Sequence, residues 1–153
     1  MINYKKGNLM HFTEDAFGHG CNCMKRMGKG VAKFVKEQYP ELYMADQNSP
    51  VTENERLGSF TTCKLRNGKI GYNIYSQFDY RKQYGDKDIN INYKALEDGI
   101  ELVLQDVKEK GLKSLALPKI GAGLAGGDWK IIENIINKLS EKYADISISI
   151  YEL

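Results

Sequence analysis

The sequence predicts an α/β fold in which a mixed central β-sheet lies between layers of α-helices. Apolar runs at strand spacing alternate along the chain with amphipathic runs at helical spacing. Two β-rich runs, residues 60–65 and 69–75, meet at Asn67-Gly68, a dipeptide suited to the type I′ turn of a hairpin. A hairpin within strand and helix alternation favours a mixed sheet over a purely parallel one.

The first half of the chain predicts short strands followed by a helix. Residues 2–5 and 9–12 have extended patterns, and residues 16–21 form an apolar run with small side chains. Apolar residues recur at helical spacing from Val31, and Pro40 should bend or close that helix. Residues 45–57 are polar and rich in turn formers, so we expect a connection there.

The second half predicts the remaining helices and strands. Residues 76–89 are polar, aromatic and charged, and so long a segment in a compact domain is expected to flank a ligand. A long amphipathic helix should follow and stop at Gly111. A buried strand, a further helix and an alternating final strand then complete the order, at residues 112–117, 128–142 and 146–151.

Composition limits the class of protein. At 153 residues and 42% hydrophobic content, residues 1–153 are expected to form one domain with one core. The formal charge of +2 is not the basic footprint of a nucleic-acid binder, so any selectivity for anions must be local. Without a visible signal peptide or an apolar stretch of membrane length, we expect a cytoplasmic monomer with no membrane partner.

The three cysteines give little indication of a metal. Cys21, Cys23 and Cys63 cannot all pair with one another, which is consistent with a reducing compartment. Cys21 and Cys23 lie beside His19, but a C-x-C pair without a second pair of ligands is a weak zinc signal. We therefore expect ordinary strand and loop cysteines, and neither a metal nor a cofactor.

Two glycine-bearing loops are the candidate binding elements. Loop 2, residues 118–127, contains four glycines between a predicted buried strand and a predicted helix. Such a loop brings backbone N–H groups close to an anion, although its spacing matches neither G-x-G-x-x-G nor the P-loop. Loop 1, residues 22–30, also leads from a strand into a helix. Because ligands bind at strand ends in open α/β sheets, one long anionic ligand is expected to lie across both loops.

At these residues the sequence resembles the macro domain, the ADP-ribose-binding fold. The resemblance rests on HGCNCMKRMGKGVAKFV at residues 19–35, LPKIGAGLAGGDW at residues 117–129 and the terminal ISIYEL, together with the opening INYKKGNL. It is closest to the branch containing ADP-ribose 1''-phosphate phosphatases and terminal ADP-ribose protein glycohydrolases. The resemblance implies that the partner is ADP-ribose or ADP-ribose 1''-phosphate, with ADP-ribosylated protein or nucleic acid as alternatives.

The resemblance also implies which residues contact the ligand. Asn8 and Leu9 would lie at the adenine end, where many macro domains have an acidic residue in place of Asn8. Tyr151 either presents its ring to the adenine or is a half-buried strand tyrosine, and Lys29 is either a second cation near the phosphates or a surface lysine. Loop 1 would enclose the distal ribose, with Asn22 bonding its hydroxyls, and loop 2 would wrap the diphosphate. The remaining implied contacts come from the two loops: Cys21, Asn22, Cys23, Met27, Gly28, Lys29, Gly30 and Val31 in and beside loop 1, and Gly121, Ala122, Gly123, Leu124 and Ala125 in loop 2.

Departures from the family pattern bear on the chemistry. In the protein glycohydrolase branch a lysine and an aspartate perform the reaction, and the matching positions here hold Ser76 and Ala125. Neither supplies an amine or a carboxylate, which favours a phosphatase acting on ADP-ribose 1''-phosphate. His19 and Asp128 are then the candidate catalytic residues. The alternatives are a strand-end histidine, a helix N-cap at Asp128, a non-catalytic ADP-ribose reader, and a hydrolase acting on modified protein or nucleic acid.

Overall fold

The computed structural model describes residues 2–80 and 90–153, which form one mixed sheet with helices on both faces. The strands are β1 Ile2–Lys6, β2 Ala16–Asn22, β3 Phe60–Lys64, β4 Ile70–Gln77, β5 Ser114–Leu117 and β6 Ser147–Glu152. The α-helices are α1 Gly30–Gln38, α2 Pro40–Gln47, α3 Glu53–Arg56, α4 Tyr93–Glu109 and α5 Trp129–Lys142.

The sheet has the order β1-β6-β5-β2-β4-β3. All neighbouring strands are parallel except β3, which pairs antiparallel with β4. This confirms the predicted mixed sheet. Because β2 and β5 are parallel neighbours, their carboxyl ends meet at one edge, and loops 1 and 2 leave the sheet side by side.

Two helical layers cover the sheet, as predicted. On one face, α4 and α5 bury aliphatic residues such as Ile100 and Ile132 against the side chains of β5 and β6. On the other face, Val35 of α1 and Leu42 of α2 pack against Phe17 and Ala116. Removal of this apolar surface from water is the main force that holds the three layers together.

Residues 9–12 are not the extended segment that the sequence pattern suggested. Leu9–His11 forms a short 3₁₀-helix, and the Asn8 side chain caps it by accepting a hydrogen bond of 2.9 Å from the Met10 N–H. Asparagine is a favoured N-cap because its amide oxygen satisfies a free backbone donor. That local hydrogen bond, together with burial of Leu9 and Met10, favours the helical turn over a strand.

The predicted hairpin is confirmed, but the type I′ turn is wrong. A type I′ turn needs positive φ at both central residues, and among the described residues Lys25 is the only non-glycine with positive φ. The Gly68 N–H instead donates to the Leu65 carbonyl over 2.9 Å, and Gly68 itself has φ +85°. This is the three-residue loop in which a type I turn is followed by a left-handed glycine.

The segment between α1 and β3 is more ordered than the sequence indicated. Pro40 closes α1 and starts α2, where its missing N–H costs no helical hydrogen bond. The expected connection at residues 45–57 contains the end of α2 and the short helix α3, which is capped by Thr52. Most of the predicted long segment at residues 76–89 lies outside the described residues. No helix in the described ranges is long and apolar enough to cross a membrane.

Candidate functional site

Loops 1 and 2 come together at the carboxyl edge of the sheet. A Cβ atom placed on Gly30 would lie 3.2 Å from Cδ1 of Leu124, so the two loops touch across a shared cleft. Gly30 has φ +61°, a conformation that favours glycine. Leu124 is 60% exposed at this contact. The two glycine-bearing loops therefore lie against each other at one edge of the sheet, as a cleft shared between them requires.

Loop 2 is shaped by hydrogen bonds between its own backbone groups. The Gly127 N–H donates to the Gly121 carbonyl over 2.8 Å, and the Gly126 N–H donates to the Gly123 carbonyl over 3.0 Å. The Ala125 carbonyl accepts from Asn90 and Ile91, which attaches the loop to the segment before α4. A side chain at Gly127 would place its Cβ 2.6 Å from the Gly121 oxygen, so this position requires glycine.

Both loops contain backbone donors without a protein acceptor. Among hydrogen bonds between described residues, the N–H groups of Met27 and Gly28 in loop 1 and of Gly123 and Ala125 in loop 2 have none. Gly28 and Gly123 also have open space where a side chain would be. Clustered N–H groups that a ligand can approach closely are suited to phosphate oxygens.

Loop 1 is folded by the Asn22 side chain. Its amide oxygen accepts from the N–H groups of Met24 and Arg26, and its amide nitrogen donates to the Arg26 carbonyl over 2.8 Å. The resemblance implied that Asn22 bonds the distal ribose. In this structure its amide group is engaged within loop 1.

Two cationic side chains, Lys25 and Arg56, also hold loop 1 in place. Lys25, with φ +59°, donates from Nζ to the Gln47 and Ser49 carbonyls, and the Gln47 amide donates back to the Lys25 carbonyl over 2.9 Å. Arg56 donates from Nη1 to the Cys23 carbonyl and from Nη2 to the Val51 carbonyl. Loop 1 is thus tied to the end of α2 and to α3.

Arg56 and Gln47 were not identified from the sequence. An arginine in a polar, turn-rich segment indicates a solvated side chain, but Arg56 is only 3% exposed. The short capped helix that carries it was the available signal, and its four residues are too few to show a period. A cavity of about 460 Å³ lies on this supporting side, lined by Met24, Lys25, Thr52, Glu53, Asn54 and Arg56.

The structure does not place His19 where a catalytic acid or base must be. The side chain is fully buried in β2, and its Nε2 lies 2.7 Å from the amide oxygen of Asn73 on β4. Burial lowers the pKa of His19 to about 4, only partly offset by the hydrogen bond with Asn73, so the ring is neutral near pH 7. Asn73 also donates to the Leu42 carbonyl, which links His19 to α2. His19 therefore stabilises the sheet and has no access to a ligand in the cleft.

Asp128 is the N-cap of α5. Its carboxylate accepts from the Lys130 N–H over 2.9 Å, and its own N–H donates to the Tyr93 hydroxyl. The side chain is exposed directly after loop 2, and its catalytic role stays a prediction.

The positions of the missing lysine and aspartate are both buried. The Ser76 hydroxyl has no hydrogen-bond partner among the described residues, and Ala125 packs into the core formed with α4 and α5. The Ser76 oxygen lies 3.0 Å from where a Cβ on Gly20 would be. A buried hydroxyl and a buried methyl group therefore stand where the family has its lysine and aspartate.

The predicted adenine end is fixed by a buried carboxylate. The Tyr151 hydroxyl donates to Glu14 over 2.7 Å, and Lys5 forms an ion pair with the same carboxylate. Tyr151 is half-buried, Leu9 is buried, and the amide oxygen of Asn8 is occupied by the Met10 N–H. An adenine contact by Asn8 would therefore use the second lone pair of its amide oxygen or its amide N–H groups.

Cys21 and Cys23 are buried, whereas Cys63 is partly exposed. Burial raises the pKa of Cys23 to about 11 and also raises the pKa of Cys21, so both remain thiols near pH 7. In residues 2–80 and 90–153 no group of three or more His, Cys, Asp or Glu side chains is placed to hold a metal ion.

Comparison with known proteins agrees with this geometry. The family model of the Macro domain matches residues 19–136. The macrodomain of Mycobacterium tuberculosis DarG superposes with a TM-score of 0.83 at 24% identity, covering 100% of this chain and 98% of that one.

Three relatives show how far the similarity extends. An uncharacterized 17.5 kDa protein of Enterobacteria phage T4 is 32% identical over 93% of this chain and 92% of its own length. The ADP-ribose 1''-phosphate phosphatase of Debaryomyces hansenii is 27% identical over 97% of this chain and 99% of its own length. The DNA ADP-ribosyl glycohydrolase of Mycobacterium tuberculosis is 26% identical over 99% of this chain, which spans 42% of that protein. From its fold, its paired loops and these matches, the chain belongs to the macro domain family, whose named members here include ADP-ribosyl hydrolases.

Proposed function

We propose that this protein binds an ADP-ribosyl group across loops 1 and 2 and removes by hydrolysis the group carried at C1'' of the distal ribose. The observation that carries the proposal is the contact of Leu124 with Gly30, which brings two donor-bearing loops together. A diphosphate fits there because N–H groups approach it from both sides. The Tyr151 hydroxyl donates a hydrogen bond to Glu14, which fixes the ring that would contact the adenine.

The simplest substrate is ADP-ribose 1''-phosphate, as the sequence predicted. Water would attack the terminal phosphorus, the bond from phosphorus to the C1'' oxygen would break, and that oxygen would take the proton, giving ADP-ribose and phosphate. A lysine adduct is disfavoured because Ser76 stands where the family has its lysine. Asp128 is the remaining candidate for orienting the water, since His19 is buried. The relative from Debaryomyces hansenii, named for this reaction, adds support.

The test uses two glycines whose substitution is structurally harmless. A side chain at Gly28 or Gly123 would enter open space, so Gly28→Val and Gly123→Val should fold normally but obstruct the ligand. We expect wild type to release phosphate from ADP-ribose 1''-phosphate in the presence of EDTA, and each variant to lose this activity with an unchanged thermal midpoint. No release of phosphate by wild type would reject the phosphatase assignment.

A second candidate, a reader that binds ADP-ribose without chemistry, is favoured by one observation. Of the residues predicted to be catalytic, His19 is inaccessible and Asp128 already caps a helix. Calorimetry with ADP-ribose separates the two functions. Saturable binding together with no turnover of ADP-ribose 1''-phosphate, ADP-ribosylated protein or ADP-ribosylated nucleic acid would establish the reader.

A further inference from the structure

Positive charge is concentrated in loop 1 and the start of α1. Residues 23–36 contain five Lys and Arg and no Asp or Glu. Because the formal charge of the whole chain is +2, the remaining residues together carry a net charge of −3. The small overall charge therefore hides a strongly basic segment that borders the cleft.

Four of these cations are exposed. Lys25 is committed to carbonyls of the supporting segment, whereas the side chains of Arg26, Lys29, Lys33 and Lys36 face solvent. Lys29, Lys33 and Lys36 are four and then three residues apart, which places them along one side of the helix. Within the described ranges none of these three lysines forms an ion pair, although Lys36 lies 4.4 Å from the centre of the Tyr43 ring.

Carboxylates near α1 do little to neutralise the positive charge of Lys29, Lys33 and Lys36. The helix packs against α2, β2 and the 3₁₀-helix, and β2 and the 3₁₀-helix contain no acidic residue. On α2, Glu41 accepts hydrogen bonds from the backbone and side chain of Arg66, and Asp46 is buried. Glu37 is the one carboxylate on α1 itself.

Exposed apolar side chains accompany the cations. Phe34 is 57% exposed on α1, and Val31 is exposed one turn before it. Phe78, also exposed, lies beside the start of loop 1, where its carbonyl accepts from the Cys23 N–H over 2.9 Å. Cations that follow a backbone, together with aromatic rings on which bases stack, are typical of surfaces that bind single-stranded nucleic acid.

We infer that loop 1 and α1 form an acceptor surface for a single-stranded nucleic acid that carries the ADP-ribosyl group. The inference rests on the proposed function, because loop 1 encloses the distal ribose only if ADP-ribose lies in the cleft. A strand leaving the distal ribose would pass Arg26 and Lys29 and continue along Lys33 and Lys36. The distance from Lys29 to Lys36 is about 10 Å along the helix, the length of about three stacked nucleotides.

The first experiment measures binding of a fluorescent 12-nucleotide single strand by anisotropy. The variant Lys33→Glu/Lys36→Glu is compared with Lys108→Glu/Lys138→Glu, a matched pair of exposed lysines on α4 and α5. We expect the first pair to weaken binding about tenfold or more at low salt, and the control pair less than about threefold. The slope of log K against log salt should fall by about 1.4 for the first pair, since two phosphate contacts are lost.

The second experiment tests the aromatic residue. Phe34→Ala should weaken binding of the single strand about fivefold or more, because stacking of one base is lost. The same substitution should have little effect on binding of a duplex of equal length, whose bases are already stacked.

A third measurement separates this inference from the proposed function. The Kd of free ADP-ribose should change less than about twofold in Lys33→Glu/Lys36→Glu, since neither lysine belongs to the loops. Failure of wild type to bind ADP-ribose would reject the cleft assignment, whatever the strand does. The inference of an acceptor surface is overturned if the 12-nucleotide strand does not bind saturably, or if both charge-reversal pairs weaken binding of the strand equally. It is also overturned if an ADP-ribosylated peptide binds more tightly than the strand and its binding depends on the same lysines.

Discussion

The two loops of the cleft are held in place by different means. Loop 2 is a closed set of backbone hydrogen bonds with glycines at its close contacts. Loop 1 is held by side chains, two of them its own and the others from α2 and α3, above all Arg56 and Gln47. The shape of loop 2 therefore depends on the absence of side chains at its own glycines. The shape of loop 1 depends on residues more than twenty positions away in the sequence.

This difference predicts where each loop is vulnerable. Adding atoms should disrupt loop 2, whereas removing atoms at a distance should disrupt loop 1. Four substitutions test the contrast, taken in order of their expected effect on ADP-ribose affinity.

Gly127→Ala should have the largest effect. The new Cβ would lie 2.6 Å from the Gly121 oxygen, so loop 2 must distort. Overpacking of this kind costs about 1–3 kcal/mol, and we expect a loss of ADP-ribose affinity of about 100-fold. Calorimetry measures the affinity, and the thermal midpoint should fall in Gly127→Ala but not in Gly123→Ala, whose Cβ enters open space. An unchanged thermal midpoint in Gly127→Ala would show that loop 2 is not held by this close contact.

Arg56→Met should loosen loop 1. The Cys23 and Val51 carbonyls lose their donors at a buried site, which costs about 1–3 kcal/mol and should weaken ADP-ribose binding about tenfold. Arg66→Met, at an exposed ion pair with Glu41, is the control.

Adenosine distinguishes positioning of loop 1 from general destabilisation. It lacks the diphosphate and the distal ribose, so its affinity should be the same for Arg56→Met and wild type. If Arg56→Met weakens binding of adenosine and ADP-ribose by the same factor, Arg56 does not act through loop 1. Gln47→Ala, which removes one hydrogen bond to the same loop, gives a milder version of the test if Arg56→Met folds poorly.

Leu124→Ala should have a smaller effect on the cleft. It removes the apolar cover between the loops, worth about 1 kcal/mol or less, and should raise the dissociation rate of ADP-ribose about threefold. Stopped-flow displacement measures the rate. Leu102→Ala, an exposed leucine on α4, should leave it unchanged.

His19→Gln should leave ADP-ribose affinity at pH 7 unchanged and alter the pH dependence of stability. The folded state holds the pKa of His19 at about 4, below the ordinary value of 6.5, so the unfolded chain binds the proton first as the pH falls. Stability from the neutral ring is complete above pH 6.5 and is lost towards pH 4, an effect on the order of 3 kcal/mol.

Urea unfolding at pH 7 and pH 4.5 measures this loss. His19→Gln should lose less stability than wild type between the two values, and the exposed His11→Gln should follow wild type. Loss of ADP-ribose binding in His19→Gln at pH 7, with unchanged stability, would restore His19 as a cleft residue.

The contrast between the loops also explains what could be predicted from the sequence. Loop 2 was recognisable because its four glycines lie within seven residues of the chain, and the hairpin was recognisable because Asn67 and Gly68 are adjacent. The mixed sheet followed from the order of strands and helices. Signals of this kind are local, and local signals are those that a single sequence displays.

The support of loop 1 could not be predicted in this way. Arg56 lies in a polar segment, and only the tertiary fold brings it to the Cys23 carbonyl. Because histidine titrates near neutral pH, the sequence made His19 a candidate catalytic acid. Burial by neighbouring elements, which the sequence does not display, lowers its pKa. Asn22 was predicted from the loop 1 motif to contact the ligand, but its side-chain amide forms hydrogen bonds within its own loop.

The central claim is that one ADP-ribosyl group lies across both loops, and hydrogen exchange of the backbone amides tests it most directly. Adding saturating ADP-ribose should slow exchange in residues 22–31 and 118–128 together, with the same midpoint of titration, and leave the hairpin at residues 60–77 unchanged. Protection of one loop without the other, or of neither, would contradict the claim.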